Sequence, residues 1–178
     1  HRVAPAPFAV LRRVRRSAPI VLAGAPARTL YLVQSGQVRT YLVTAQGGEV
    51  TTAVLGEGEL LGISALLGGP SYRASCTALT DAELWELAAD RLREWLARDS
   101  DLARLVLEAL GRRLVLAEQL LRQVPLEPMA RRIPNVLTLL EAHLGGQRPH
   151  LTREMLAGLV GVRRETVSRA IVARRRAD

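Results

Sequence analysis

Four side chains near the C-terminal end, Arg164, Glu165, Ser168 and Arg169, have the types and spacing to read nucleic acid. An Arg guanidinium donates a bidentate pair of hydrogen bonds to guanine O6 and N7, and a Glu carboxylate accepts from cytosine N4. On one helix these positions share a broad face, so the four can meet the edges of neighbouring base pairs. Thr152, Arg153, Arg163 and Thr166 flank them and suit phosphate oxygens, contacts that position a protein on a duplex without specifying sequence. The plain alternative is a solvated helix on which Glu165 and Arg169, four residues apart, pair with each other.

Such side chains need a rigid mount, and Leu151 to Ala170 reads as a helix-turn-helix. Thr152 is placed to cap a first helix, Arg153 to Leu159. Val160-Gly161-Val162 is the turn, where Gly161 permits a positive φ, and the second helix starts near Arg163. Ala157 is small enough for two helices to cross closely, and Leu156, Val160, Val162, Val167 and Ile171 form a small core.

Upstream, a long helix is expected from Ser100 to Val124, stopped by Pro125. Ala103, Leu110, Ala117 and Val124 repeat every seven residues, as do Leu107, Leu114 and Leu121, and together they form one uninterrupted seam. That is the pattern of a coiled coil. Leu102, Leu105, Val106 and Leu116 lie off the seam, so the helix is read as packing on a partner helix and on its own β-domain at once. Pairing matters, because two recognition helices about 34 Å apart match a palindromic site in successive major grooves. Residues 126–144 read as a further helix with a kink or late start at Pro134, and Gly145 to Pro149 as a turn or linker.

Residues 19–88 read as β structure. Thr29–Val33, Val38–Val43 and Val50–Leu55 are rich in β-branched and aliphatic residues and are separated by Gly-containing turns. Ser71–Leu79 and Glu83–Leu87 add strands, giving a sandwich or barrel. A short helix follows at Asp90 to Trp95, with Asp90 as its cap. Three units result: a β-domain at 1–98, a dimerisation helix at 99–124 and a helix-turn-helix region at 125–178.

Composition narrows the function classes. The 178 residues carry 25 basic and 17 acidic side chains, net +8, and every basic one is Arg. Residues 125–178 hold 10 Arg against 5 acids, a concentration that fits a polyanion better than a membrane surface. All-Arg usage also fits a bias in genome composition. A single cysteine, Cys76, excludes an internal disulfide and a four-cysteine zinc or iron–sulfur site; a small buried residue is the favoured role, a redox thiol the minor one. No apolar run reaches about 18 residues, the length needed to cross a membrane. No signal peptide is visible, and a start at His1 implies that N-terminal sequence has been lost. His1, His143 and His150 offer no convincing haem ligand. The absence of a His/carboxylate cluster or a nucleophile–base pair argues against an enzyme.

The order of parts resembles the cyclic-AMP receptor protein/FNR family of bacterial transcription regulators, over nearly the whole chain. Thr29 to Val38 is similar to that family's strand–turn–strand signature, and Gly56 to Gly62 to the entry of its phosphate-binding cassette. Arg163-Arg164-Glu165-Thr166-Val167-Ser168-Arg169 is close to its recognition-helix signature. The resemblance implies an α+β protein: an N-terminal double-stranded β-helix (a cyclic-nucleotide-binding-like β-roll), a long dimerisation helix and a C-terminal winged helix-turn-helix. It implies a cytoplasmic homodimer that reads a palindromic TGTGA-like site through Arg164, Glu165 and Arg169, with double-stranded DNA, a second copy and RNA polymerase as partners and no membrane. The rival reading is a small-molecule sensor module with a vestigial DNA-binding domain.

The chain departs from the family in two places. The family holds a cyclic nucleotide with a Glu after the Gly, an Arg-Ser pair and a Thr on the long helix. Here Gly62 is followed by Ile63, Arg73 by Ala74, and Ala117 stands where the Thr is expected, with Glu118 next. Each lost buried polar contact is worth about 1–3 kcal/mol. Three losses imply that cyclic AMP is not the effector, and no cofactor is expected; Arg73 is left to hold another anion or to pair at the surface. The second departure follows the recognition helix: only AIVARRRAD remains after Arg169, so the wing is incomplete, with Ile171 to Ala173 read as wing sequence and residues expected to be missing near Ala170-Ile171.

Overall fold

A computed structural model describes residues 8–175, apart from the side chains of residues 124–126, 129–130 and 172–175. Eight strands come first: β1 (Val10–Val14), β2 (Pro19–Val21), β3 (Thr29–Ser35), β4 (Val38–Val43), β5 (Glu49–Leu55), β6 (Leu60–Leu61), β7 (Ser75–Ala78) and β8 (Ala82–Ala88). They form two four-stranded antiparallel sheets, ordered β1-β8-β3-β6 and β2-β7-β4-β5. The inward-facing members of their alternating patterns, among them Val14, Val33, Val38, Leu55, Leu61 and Leu84, fill the space between the sheets. The turn from β3 to β4 depends on Gly36, at φ 85°, where an added Cβ would lie 2.4 Å from the Asp81 carbonyl oxygen.

Six helices accompany the roll: α1 (Ile63–Leu66), α2 (Ala89–Leu96), α3 (Ser100–Leu126), α4 (Met129–His143), α5 (Arg153–Val160) and α6 (Arg164–Arg175). Asp99 caps α3, its carboxylate accepting the Leu102 amide at 2.9 Å. Leu102 packs with Leu30, Leu87 and Leu92, seating the start of α3 on the roll. The other end of α3 enters a second core. There Leu116 and Leu120 meet Ile133, Val136, Leu140 and Leu144 from α4 and its C-terminal edge, Leu156 and Val160 from α5 and Val167 from α6, together with Val54 and Leu79 from the roll.

Several expectations from the sequence need correction. Strand β1 lies outside the range 19–88; its run of Arg hides it, but Arg12 and Arg13 pair with Glu86 and Glu83 on the neighbouring β8, so an edge strand carries its charges outward. The region 71–79 is strand only from Ser75, and Ile63–Leu66 is a helical turn. Asp90 is not the cap of α2. Ala88 holds that position and Asp90 lies in the first turn, paired with Arg93. Helix α3 continues through Pro125 to Leu126, so the proline sits in the final turn instead of ending the helix before it. Helix α4 starts at Met129 and carries Pro134 inside it. Finally, α6 runs unbroken across Ala170-Ile171. Val167, Ala170 and Ile171 keep helical spacing and all pack on the second core, which is why this stretch is helix and not wing. His1 and residues 176–178 lie outside the described residues.

Candidate nucleic-acid interface and effector cavity

The helix-turn-helix is built as its residues dictate. The Thr152 hydroxyl accepts the Met155 amide at 3.2 Å and so caps α5. Gly161 closes the helix at φ 67°, and the Val162 amide returns to the Ala157 carbonyl at 3.1 Å. Buried Leu156, Ala157, Val160 and Val167, with Val162 and Ile171 packed against them, fix α6 on α5. Val167 is fully buried, so the opposite side of α6 faces outward.

That outward side carries the expected base-reading set. Arg164, Glu165 and Arg169 are exposed, and among the described residues no ion pair engages them, including the Glu165–Arg169 pair of the solvated-helix alternative. Ser168 is half-buried, with Arg153 Nη1 3.5 Å from its Oγ, so it is less free than its neighbours. Of the expected phosphate contacts, Thr152, Arg153 and Arg163 are exposed and Thr166 is half-buried.

A cavity of about 330 Å³ opens in the roll beside α3. Gly62, Ile63, Arg73 and Ala74, the four expected pocket residues, all line it. Gly62 is held at φ 84°; a Cβ there would lie 2.8 Å from the Thr29 carbonyl oxygen, so the backbone pinches in at the cavity edge. Arg73 is exposed at the rim. Ala117 is exposed on α3 and is not in this wall; the α3 residues that are in it are Leu110, which the sequence placed in the dimer seam, and Arg113, which the sequence reading did not single out. Arg113 donates to the Leu60 carbonyl oxygen at 3.1 Å. Burial pushes its pKa down, and the nearby Glu59 carboxylate opposes that shift. Thr40, Thr52 and Ser64 add hydroxyls, and among the described residues the wall holds two guanidinium groups and no carboxylate. Arg113 could have been found only by asking which face of α3 lies against the roll.

Cys76 also borders the cavity, and burial pushes its thiol pKa up to about 12. Such a thiol carries almost no nucleophilic thiolate near neutral pH, so the favoured structural role stands over the redox one. His143 and His150 bond to Glu59 and to Gln37 in separate places. Among the described residues there is no cluster of metal-ligating side chains, and no helix is long and apolar enough to cross a membrane.

The dimer seam divides by exposure. Leu107, Leu114 and Leu121 are 68%, 61% and 72% exposed, far above the norm for leucine. Ala103 and Leu110 are half-buried, Ala117 is exposed, and the Val124 side chain lies outside the described residues. The off-seam Leu102 and Leu116 are buried, and Leu105 and Val106 half-buried, against the chain's own body.

Comparison with known proteins gives this geometry a family. Residues 11–99 match the cyclic nucleotide-binding domain. The cyclic AMP receptor protein of Thermus thermophilus is 35% identical over 155 residues, covering 87% of this chain and 72% of that protein. The global nitrogen regulator of a Synechocystis species is 27% identical over 173 residues, covering 91% and 76%. Among solved structures, a CRP-family transcriptional regulator of Thermus thermophilus superposes with a TM-score of 0.78 at 26% identity, covering 93% of this chain and 85% of that one. FixK2 from Bradyrhizobium japonicum, at 23% identity and a TM-score of 0.80 over 93% and 84%, shares the fold. The relatives are transcription regulators and not enzymes, and with these matches the chain belongs to the CRP/FNR family of DNA-binding transcription regulators.

Proposed function

We propose that the protein is a cytoplasmic homodimer that binds a palindromic, TGTGA-like DNA site without needing cyclic AMP. The observation that carries the DNA reading is the exposed set Arg164, Glu165 and Arg169, which no ion pair engages among the described residues, on a helix whose other side is locked into the core. In the groove the two Arg donate to guanine O6 and N7 and Glu165 accepts from cytosine N4, while Thr152, Arg153, Arg163 and Thr166 hold phosphates. Ser168 plays a lesser part, being partly engaged by Arg153.

Dimerisation follows from the leucine stripe on α3. Three exposed leucines at seven-residue spacing fit a second copy of the same helix across a two-fold axis. The axis sets two α6 helices against successive major grooves. RNA polymerase is the further partner that the family resemblance implies.

Independence from cyclic AMP rests on the cavity wall. Ile63 and Ala74 line it at the positions where the family resemblance implies a carboxylate and a hydroxyl for the ribose and phosphate, and among the described residues no acidic side chain lines the space. A ribose diol buried beside Ile63 loses its water without gaining an acceptor. The two guanidinium groups suit a small anion other than a cyclic nucleotide, and no cofactor is invoked.

Fluorescence anisotropy on a TGTGA-type palindrome tests this reading. The protein binds at nanomolar concentration with cyclic AMP absent, and the double variant R164A/R169A loses at least 100-fold in affinity. Equal affinity of the variant and the parent would leave the sensor-module reading in its place. A strict requirement for cyclic AMP would overturn the ligand-independent part.

A further inference from the structure

Gln37 sits in the β3–β4 turn and is only 2% exposed. It is one of the most completely buried polar side chains in the molecule, yet it belongs to neither the cavity nor the recognition face. Its side chain instead bonds a segment more than a hundred residues away. The amide Nε2 donates to the Arg148 carbonyl oxygen at 2.9 Å, and Oε1 accepts the His150 amide at 2.9 Å. The His150 Nδ1 lies 3.3 Å from the same oxygen.

Gln37 is itself immobilised. Its amide donates to the Thr80 hydroxyl at 2.9 Å, and its carbonyl oxygen accepts the Leu79 amide at 2.8 Å. Gly36 beside it packs on Asp81 and Ala82 too closely for any side chain. A fixed amide thus grips both sides of the linker that leads into α5. From His150 it is two residues to Thr152, the cap of α5, and the small core then carries α5 into α6.

The surroundings agree. Gln37 immediately precedes β4, and Arg39, two residues on, stands opposite Val54 of β5. Val54 belongs to the core shared with α3, α4, α5 and α6. Helix α5 lies on β5 there, since an added Cβ on Gly158 would be 3.8 Å from the backbone of Glu49, Val50 and Thr51.

We propose that Gln37 is a positioning residue for DNA binding: its two-sided grip on Arg148 and His150 sets the orientation of the helix-turn-helix on the roll, and through it the spacing between the two recognition helices. The proposal rests on the reading of the protein as a dimeric DNA binder. It differs from a contribution to stability alone in predicting a loss of spacing preference.

The test uses the whole chain with Gln37→Met, which fills the space and makes neither bond, and Gln37→Glu, which keeps an acceptor for the His150 amide but sets a carboxylate against the Arg148 carbonyl. Hydrogen exchange is measured over residues 148–160 and over β3 and β4. Affinity is measured on palindromes whose half-sites are moved closer or further by one base pair. In both variants, exchange in 148–160 rises at least tenfold with β3 and β4 unchanged. Preference for the best spacing falls about tenfold, while base preference within a half-site stays as in the parent. Unchanged exchange in 148–160, or an unchanged spacing preference in a variant that folds, overturns the proposal. Should Gln37→Met fail to fold, Gln37→Glu decides by the same measurements. Should the parent bind no DNA specifically, the functional reading fails on its own and the exchange comparison alone supports or overturns the grip.

Discussion

The proposed function gives Arg164 and Arg169 a base-reading role and Arg153 a phosphate role, although all three are exposed guanidinium groups on the same small domain. A base contact should cost specificity when removed, about 1–3 kcal/mol at one position of the site. A phosphate contact should cost affinity evenly across sequences and lower the salt dependence by close to one ion. Arg164→Ala therefore relaxes preference at a single base pair, whereas Arg153→Ala weakens every probe alike, as titrations at several salt concentrations would record. A reversed pattern would exchange the two roles. Cys76 supplies a different check. Burial raises its pKa from 9.0 to about 12, and burial likewise raises that of Tyr31 to about 12. Both groups are neutral when protonated, so the unfolded chain ionises first as pH rises. The stability they support is fully present below about pH 9 and is lost between about pH 9 and 12. Thermal unfolding should show a falling midpoint across that window, and Cys76 should resist alkylation at pH 8 until the protein unfolds.

Among the helices, α5 and α3 were legible in the sequence for different reasons. The α5 cap and turn are local: Thr152 binds an amide three residues on, and Gly161 needs a positive φ. Signals of that kind survive without tertiary context. Thr152→Ala should cost about 1 kcal/mol, the usual value of an N-cap, read as a lower unfolding midpoint. The α3 seam was legible because its period is seven, but which leucines face the chain's own body was only half so. Leu116 is buried where Leu114, two residues earlier, is 61% exposed. Leu114→Glu should leave the monomer folded, since that side chain touches little of its own protomer, and should abolish the dimer in sedimentation. Palindrome affinity then drops at least tenfold while half-site binding persists. The stretch after Arg169 was misread because three consecutive Arg look like wing or tail, while the helical period of Val167, Ala170 and Ile171 depends on a core that only the fold supplies.

Taken as one body, the described residues show no clean boundary between the roll and the helix-turn-helix. Val54 and Leu79 of the roll share a core with Leu140, Leu156 and Val167, and Gln37 holds the linker between them. These contacts join residues far apart in the chain, Gln37 and Arg148 by 111 positions, and nothing in local pattern or composition announces them. The same is true of Arg113, which enters the cavity wall only once α3 lies against the roll. Leu140→Ala, at a fully buried position in that shared core, should cost about 2–5 kcal/mol and should loosen roll and helix-turn-helix in a single transition. Two separate transitions would mean that the parts are mechanically independent. In the proposed function this body, as a symmetric pair, reads DNA with no cyclic nucleotide bound. Selection from a random duplex library, run with and without cyclic AMP, tests it most directly. Both arms should return the same palindrome of TGTGA-like half-sites at the same spacing; recovery of that palindrome only when cyclic AMP is present would show that the protein depends on the nucleotide.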